Sequence, residues 1–477
     1  MEYCELEPKK VFEYFALLCS VPHGSGNTDK IADLCVAFAK ERSLKYVRDG
    51  LNNVIIFKDG TKGREDHEPV IIQGHLDMVC AKAEGSDADM ANDGITLVVD
   101  GDRLRADGTS MGGDNCLGVA MALALLDSSD IPHPPLECVF TTDEETGMFG
   151  AAGLDVSPLK GRRMLNVDSE GDTFTVGCAG GLRINCTADV TPTDAEGKRK
   201  RITVNGLKGG HSGAEINCGR ASANKLLARI LHLLTHRYGD DIAVAELHGG
   251  QFDNVITPFA YAEIIVPEWE EDTLTEHVNE IGDMLKAEYA ATDPDVTLSL
   301  TEGTSVSPAL DCDGVLDLLY SLPQGVQGMS FTMPGLVETS CNLGVVSLTA
   351  DGFRCSLSVR SSVASKKEEL AGVIETLMAS FGCDFTESGD YPGWEYSPVS
   401  PLRDVITEEY KKQNGRDAKV EAIHAGLECG FFSSKIPGLD CVSFGPDLRD
   451  IHTCNESVGI ASVGRMYDLI KATLARL

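Results

Sequence analysis

The chain has 477 residues, of which 42% are apolar and 24% charged, so it is long enough for two domains and unlike a disordered or fibrous protein in composition. Its 41 basic and 74 acidic residues give a net charge of -33, which repels phosphate backbones and anionic membrane surfaces. We therefore expect neither nucleic acid nor a membrane as a partner, and the apolar runs are also too short to cross a bilayer.

The sixteen cysteines could form disulfides in an oxidising compartment. The first residues, however, carry neither the basic region nor the apolar core of a secretory signal, and no two cysteines have C-x-x-C spacing. We therefore expect a cytoplasmic protein with free thiols.

Helical and extended segments alternate in the first part of the chain. The predicted elements are, in chain order, a helix over 29–40, strands over 54–57 and 69–74, an apolar helix over 116–126, strands over 136–140 and 164–167, and, near the end, a strand over 441–444. This alternation predicts an α/β domain with a mainly parallel, covered central sheet.

The order of elements changes in the middle of the chain. Strands are predicted over 182–187, 201–205, 243–247 and 260–266 with a helix over 220–234, and a weaker copy follows, with strands over 341–347, 353–360 and 384–386 and a helix over 366–381. The first set is close to a ferredoxin-like unit. We predict a catalytic domain formed by 1–181 and 389–477, interrupted over 182–388 by an α+β lid and dimerisation domain of two ferredoxin-like halves.

Several predicted strands of the catalytic domain end in residues that can bind a metal. His75 follows the strand over 69–74, Glu145 follows 136–140, Asp168 follows 164–167, and the last strand leads on to His452. Ligand sites in open α/β sheets lie at the carboxyl ends of strands. Strands also end in polar loops for structural reasons, so it is the whole set, and not any single residue, that indicates a metal site.

Three of these motifs allow two interpretations each. His75 and Asp77 could point to one face of a strand, or Asp77 could lie behind the imidazole and fix its tautomer. Asp114, in the turn Gly112-Gly113-Asp114-Asn115, could bridge two metal ions or cap the next helix. The carboxylates of 143–145 could be neutralised by a cation, with Glu144 and Glu145 taking different roles, or could form a solvated acidic loop.

Taken in order, the motifs G-H-L-D, G-G-D-N, D-E-E-T-G, N-V-D-S-E, G-G-H-S-G and I-H-T-x-x-E resemble those of the co-catalytic two-zinc metallopeptidases that include carnosinases. The resemblance covers nearly the entire chain, from Val21 to Glu456. It implies metal-dependent hydrolysis of dipeptides, with Xaa-His and carnosine-type dipeptides among the substrates.

The resemblance also implies the metal ligands. Two zinc ions per subunit, with Co²⁺ or Mn²⁺ as substitutes, would be bound by five residues: His75, Asp114, Glu145, Asp168 and His452. Asp114 would bridge the ions, His75 and Asp168 would bind one, and Glu145 and His452 the other. Two zinc ions balance three carboxylates and one hydroxide, so the assembly would be neutral. Asp77 would orient His75, and Glu144 would be the general base for the bridging water.

Further roles implied by the resemblance fall in and near the inserted region. His211, in G-G-H-S-G, would stabilise the oxyanion, commonly in the active site of a partner subunit, so a homodimer is expected. Four residues would contact the dipeptide: Asn254, Arg360, His424 and Gly426. Arg360 suits a substrate carboxylate through its planar donor fork. Two alternatives remain, a deacylase of N-acyl amino acids and a noncatalytic metal-binding assembly protein.

Overall fold

The computed structural model describes residues 5–171 and 173–477. Its α-helices are α1 (Lys9–Cys19), α2 (Asp29–Glu41), α3 (Gly113–Asp127), α4 (Phe149–Gly153), α5 (Ala223–Tyr238), α6 (Glu271–Glu288), α7 (Asp313–Ser321), α8 (Ala364–Ser380), α9 (Pro401–Asn414), α10 (Cys429–Lys435) and α11 (Ile460–Leu474). In this part of the chain, no helix is both long and apolar enough to span a membrane.

The strands are short and numerous. They are β1 (Lys45–Arg48), β2 (Val54–Lys58), β3 (Val70–His75), β4 (Leu97–Asp100), β5 (Arg103–Ala106), β6 (Leu136–Thr141), β7 (Arg163–Asn166), β8 (Thr173–Cys178), β9 (Gly180–Ala188), β10 (Thr191–Thr193), β11 (Lys198–Asn205), β12 (Gly210–His211), β13 (Ala243–Gly249), β14 (Val255–Ile256), β15 (Ala260–Val266), β16 (Thr297–Glu302), β17 (Ala309–Asp311), β18 (Gly325–Met329), β19 (Val337–Thr349), β20 (Gly352–Ser361), β21 (Asp384–Tyr391), β22 (Lys419–Ile423), β23 (Asp440–Ser443), β24 (Leu448–Arg449) and β25 (Ser457–Gly459).

The chain divides into two compact units. Unit 1 comprises the described residues up to Cys178 together with Trp394–Ala422 and Leu427–Leu477, and unit 2 comprises Ala179–Gly393 and Ile423–Gly426. The short segment Ile423–Gly426 thus groups with unit 2, although it lies within 389–477, which we assigned as a whole to the catalytic domain.

Unit 1 is built on an eight-stranded sheet in the order β1-β2-β6-β3-β7-β23-β8-β22. The central strands β6, β3, β7 and β23 are parallel. β1 and β2 form an antiparallel pair beside β6, and β8 runs antiparallel to β23. The expected α/β class is confirmed, with a parallel centre and antiparallel flanks, because the short connection between β1 and β2 permits only an antiparallel pair.

Helix α3 lies in the core of unit 1. Between Cys116 and Leu126 every residue is buried, so the helix is apolar on all sides, as a fully enclosed helix must be. Its first turn departs from helical geometry at Asp114 (φ -83°, ψ 104°) and Asn115 (φ -119°, ψ 19°). This departure turns the Asp114 side chain out of the helical path.

A four-stranded sheet in the order β24-β25-β5-β4 completes unit 1. We predicted none of its strands, although Leu97-Val98-Val99 of β4 is a short apolar run. Antiparallel pairing of β24 with β25 closes the intervening loop, 450–456, and holds its ends together. This loop carries His452 and Glu456.

Unit 2 contains an eleven-stranded sheet whose main order is β16-β11-β15-β13-β19-β20-β9-β21. The set β11-α5-β13-β15-α6-β16 has the chain order of a ferredoxin-like unit, and its strands lie in the order 4-1-3-2. The set β9-α7-β19-β20-α8-β21 repeats that arrangement, with the first set inserted after β9. Helix α6 and strand β16 were absent from our prediction.

Candidate metal centre

The predicted metal ligands converge at the carboxyl ends of the parallel strands of unit 1. His75 is the last residue of β3, Glu145 lies in the loop after β6, and Asp168 lies in the loop after β7. Asp114 comes from the distorted start of α3, and His452 from the loop between β24 and β25. The set predicted from sequence is therefore brought together.

Asp114 lies between two imidazole rings. The Nε2 atom of His75 is 3.1 Å from one carboxylate oxygen of Asp114, and the Nε2 atom of His452 is 3.3 Å from the other. His75 Nε2 is also 3.4 Å from Asp168, and His452 Nε2 is 3.0 Å from Glu145. The two histidines thus share the Asp114 carboxylate, each facing a different oxygen, and each has one further acidic neighbour of its own.

The orientation of His75 differs in detail from the expected one. Its Nδ1 is 2.9 Å from the backbone carbonyl of Asp77 and 3.6 Å from the Asp77 carboxylate. The carbonyl is therefore the nearer acceptor for the Nδ1–H and fixes Nε2 as the atom that faces Asp114. The Asp77 carboxylate instead accepts hydrogen bonds from Ser25 Oγ (2.8 Å) and from the backbone amides of Glu144 (3.1 Å) and Glu145 (3.3 Å).

Helix capping does not account for Asp114. The residue before α3 is Gly112, and the helix has no side-chain cap hydrogen bond. Asp114 instead presents its two carboxylate oxygens to His75 and His452. The backbone amide of Asp114 donates a hydrogen bond to Glu456.

Glu456 holds the turn that carries Asp114, a role that we did not predict. One of its carboxylate oxygens accepts hydrogen bonds from the amides of Met111 (2.7 Å) and Gly112 (2.9 Å). The other accepts from Gly113 (2.8 Å) and Asp114 (3.2 Å). Glu456 was visible in the motif I-H-T-x-x-E, but its partners are backbone amides, which leave no sequence signal.

The acidic segment after β6 is not a solvated loop. The side chain of Glu145 is only 7% exposed. Burial, with the neighbouring charges of Asp168 and Glu428, raises the pKa of the Glu144 carboxyl well above its usual value, although His75 acts in the opposite direction. The paired amide hydrogen bonds to Asp77 fix the backbone of both glutamates.

The electrostatics of the centre favour positive charge. Hydrogen bonds with Asp114 and Glu145 raise the pKa of His452 to about 10, with burial acting the other way. Burial raises the pKa of Asp168 to about 6; His75 opposes this rise, and the charges of Asp114 and Glu145 add to it. The cluster of buried carboxylates therefore needs cations, and two imidazole nitrogens with three carboxylates form a donor set that fits two divalent transition-metal ions.

A buried polar layer lies beneath the centre. One oxygen of Glu428 accepts hydrogen bonds from Gln73 Nε2 (2.6 Å) and Thr141 Oγ1 (2.6 Å), and Gln73 Oε1 accepts one from Asn166. The other oxygen of Glu428 has no hydrogen-bond partner among the described residues. Since Gln73, Thr141 and Asn166 lie on β3, β6 and β7, this layer ties together three strands that lead to metal ligands. A polar residue inside an otherwise apolar strand, such as Gln73, was the available signal for it.

The remaining predicted residues lie in unit 2. The Nδ1 atom of His211 accepts hydrogen bonds from the amides of Gly213 (3.2 Å) and Ala214 (3.0 Å), so Nε2 carries the proton of the neutral ring. Burial and then the charge of Arg360 lower the pKa of His211. The backbone carbonyl of Asn254 accepts a hydrogen bond from the Ser212 amide (2.9 Å), which places Asn254 beside the His211 segment.

Arg360 and His424 share one polar region of unit 2. The Nε2 of His424 is 2.7 Å from Ser340 Oγ, and burial followed by the charge of Arg360 lowers the pKa of His424 to about 4. Arg360 is 8% exposed and donates to Tyr391 Oη at 2.8 Å. Within the described ranges it forms no ion pair, so a buried cation is available for an anionic group. Gly426 lies half-buried in the loop after His424.

The chain is similar to known peptidases over its whole length. A family model described as peptidase family M20/M25/M40 matches residues 71–476. A cytosol non-specific dipeptidase of Escherichia coli strain K12 is 36% identical over 483 aligned positions, covering 100% of this chain and 99% of that protein.

Solved structures of peptidases are also similar to this chain. The crystal structure of an aminoacylhistidine dipeptidase from Vibrio alginolyticus matches with a TM-score of 0.94 at 34% identity, covering 100% of this chain and 98% of that one. Aminopeptidase PepT from Bacillus cereus matches with a TM-score of 0.57 at 14% identity over 98% of both chains, which shows a shared fold alone.

Proposed function

We propose, from the premise that the chain belongs to peptidase family M20/M25/M40, that it is a two-metal enzyme that hydrolyses dipeptides. One observation carries the proposal: the Nε2 atoms of His75 and His452 face the two oxygens of Asp114 at 3.1 and 3.3 Å. A carboxylate whose two oxygens each face a different imidazole is placed to bridge two ions, one beside each ring.

The proposed ligands are the five predicted ones. His75 and Asp168 would hold one ion, Glu145 and His452 the other, and Asp114 both. When bound, the ions would polarise the scissile carbonyl and promote ionisation of a water molecule. Zinc is the proposed metal, and because cobalt and manganese accept the same imidazole and carboxylate donors, either could replace it.

Glu144 is the proposed general base. It would accept a proton from the attacking water and transfer it to the departing amine. Asp77 is proposed to position this base through the amide of Glu144, as well as His75 through its own carbonyl.

Unit 2 is proposed to supply substrate contacts. The Nε2–H of the neutral His211 ring, which has no hydrogen-bond partner among the described residues, could donate to a developing oxyanion. Arg360, buried and without a carboxylate partner among the described residues, is proposed to bind the terminal carboxylate of the dipeptide. We also propose that Asn254, His424 and Gly426 contact the substrate.

The substrate range is proposed to be broad and to include Xaa-His dipeptides. Two of the relatives described above are named for different ranges, one as a non-specific dipeptidase and the other as an aminoacylhistidine dipeptidase. The name of the Escherichia coli relative also supports a cytoplasmic location. A homodimer, with His211 acting in the partner's site, stays a prediction.

A panel of matched substrates tests the proposal. Hydrolysis of Gly-His, β-alanyl-His, Gly-Leu, a tripeptide and N-acetyl-His would be measured with and without added zinc. We expect metal-dependent cleavage of the unblocked dipeptides, since their free amine and carboxylate are the groups the site must recognise. Cleavage of N-acetyl-His alone would identify a deacylase instead.

The noncatalytic alternative is tested with the same preparations. Inactivity on every substrate, despite two bound metal ions per chain, would contradict the enzyme and favour a metal-binding assembly protein. Glu144→Gln serves as the matched control, because it should bind the metals as the wild type does.

A further inference from the structure

Two histidines and an aspartate form a cluster on the helices of unit 2, remote in sequence from every residue of the candidate centre. His232 and His236 lie on α5 and Asp317 lies on α7. One ligand atom from each residue lies within 4.8 Å of the other two. We propose that this cluster is a peripheral binding site for a divalent transition-metal ion, and we call it the α5–α7 site.

The spacing on α5 suits shared coordination. Residues four apart on a helix lie one above the other on the same face, about 5–6 Å apart at Cβ. The rings of His232 and His236 are accordingly adjacent, with centroids 4.2 Å apart. A small rotation of the His236 side chain would direct one of its nitrogens at an ion shared with His232.

Asp317 supplies the third ligand from the neighbouring helix. One of its carboxylate oxygens is 3.5 Å from Nδ1 of His232, and the Asp317 side chain is 54% exposed. In the part of the chain that the structure covers, Asp317 has no lysine or arginine partner. The carboxylate is therefore free to neutralise an added cation.

The ring of His232 is held in place before any ion binds. It stacks on Tyr320 of α7 with centroids 3.9 Å apart and planes 8° apart. Lys225 of α5 donates to the carbonyls of Leu319 (2.9 Å), Tyr320 (2.7 Å) and Leu322 (2.7 Å), which fastens the two helices together. Because His232 and the two helices are already fixed, ion binding has to order only the exposed side chains of His236 and Asp317.

The electrostatic setting also favours a cation. His236 lies in the last turn of α5, where the unpaired carbonyls of the helix end carry partial negative charge. His236 is exposed and the His232 side chain is 22% exposed, so the site can be reached from solvent. Nδ1 of His232 has no hydrogen-bond partner among the described residues, so coordination would break none.

The donor set selects the class of ion. Two imidazole nitrogens and one carboxylate oxygen suit zinc, nickel, cobalt or copper, with water completing the coordination, and disfavour magnesium and calcium. A bound ion would join the helix of one ferredoxin-like set to the helix of the other, since α5 belongs to the β11–β16 set and α7 to the β9–β21 set. We therefore expect it to stabilise unit 2 by linkage.

The test uses the full-length protein with its catalytic centre already loaded. Calorimetric titration with Zn²⁺, and separately with Ni²⁺ and Mg²⁺, would count the further ions bound. We expect the wild type to bind one additional zinc or nickel ion per chain and no additional magnesium, with the unfolding temperature rising on zinc addition.

Three variants locate the ion. His236→Ala should lose the additional ion, and Asp317→Asn should weaken its binding at least tenfold, whereas His67→Ala, at an exposed histidine outside the cluster, should behave as the wild type. Both cluster positions are exposed, so these variants should fold, which the unfolding temperature without added metal checks.

Two outcomes would overturn the proposal: no additional ion in the wild type, or an additional ion that His236→Ala and Asp317→Asn still bind with wild-type affinity. Dipeptide hydrolysis measured on the same samples separates this result from the proposed function. Loss of the additional ion in His236→Ala with hydrolysis unchanged supports the α5–α7 site, while inactivity of the wild type would count against the proposed function alone.

Discussion

Replacing Glu456 by glutamine should loosen the turn that presents Asp114. The native carboxylate is 2% exposed and accepts four backbone hydrogen bonds, two at each oxygen. A glutamine has one amide oxygen and one NH₂ group. In either orientation of the glutamine, its NH₂ group faces two of the four backbone N–H groups. Because an NH₂ group cannot accept a hydrogen bond, these two hydrogen bonds are lost and the N–H groups are left without an acceptor.

The size of the effect follows from these two hydrogen bonds. A hydrogen bond to a charged group contributes about 1.5–3 kcal/mol, so the loss of two costs about 3–6 kcal/mol before the turn relaxes. Part of this cost should appear as lower stability, and part as weaker metal binding, because the position of Asp114 is no longer fixed. Substitutions behind a metal ligand typically weaken binding about 10- to 100-fold.

The assay is competition for zinc between the full-length protein and a chelator of known affinity, with thermal unfolding measured before and after metal removal. Glu456→Gln should bind zinc at least tenfold more weakly and unfold at a lower temperature in both states. Glu84→Gln, at an exposed glutamate, is the matched control and should change neither quantity. If Glu456→Gln keeps its zinc affinity within about twofold and its unfolding temperature, then the four hydrogen bonds do not position Asp114 and the reasoning is refuted.

Four further substitutions test the other assignments. Glu144→Gln should retain both metals and lose roughly 10²- to 10⁴-fold in rate, and metal loss with unchanged catalysis would contradict its role as base. His211→Ala should lower kcat by roughly 10²- to 10³-fold at unchanged metal content, whereas an effect on KM alone would argue against oxyanion stabilisation. Arg360→Lys should raise KM by roughly tenfold, because an ammonium cannot form the paired hydrogen bonds of a guanidinium; an unchanged KM would exclude carboxylate binding there. Burial raises the pKa of Glu428 from 4.5 to about 7, so its contribution to folding is present below pH 4.5 and is lost as the pH rises through 7. Relative to Glu428→Gln, the wild type should therefore lose about 3 kcal/mol of unfolding free energy over this range. Urea unfolding of both proteins at pH 5 and pH 8 measures this loss, and the same difference between wild type and variant at the two pH values would contradict it.

The strands that carry metal ligands were predictable because burial on both faces gives each an apolar run that ends at a polar residue. The predicted strands over 54–57, 69–74 and 136–140 correspond to β2, β3 and β6, and the ligand side chains follow the last two. Parallel neighbours bring such ends to one edge of a sheet, so His75, Glu145 and Asp168 could be grouped without knowledge of the strand order.

The residues that hold the ligands in place were not predictable in the same way. Glu456 lies 345 positions from Met111, and Glu428 lies 355 positions from Gln73, so no local spacing links them. Glu456 binds backbone amides, which every residue type offers. Whether His75 pairs with the carbonyl or the carboxylate of Asp77 depends on the difference between 2.9 Å and 3.6 Å, which residue order cannot specify.

Strand order also constrains when the sheet of unit 1 can be completed during synthesis. β23 lies between β7 and β8, yet it is translated only after the whole of unit 2 up to Gly393. At about 5–20 residues per second, the ribosome needs on the order of ten seconds to a minute to cover that distance. During this interval the edge of β7 has no neighbour on one side, and His452 does not yet exist. Unit 2 of a nascent chain can therefore fold first. A prematurely terminated product that lacks the final segment has no working active site, and it exposes an open sheet edge that chaperones and proteases recognise.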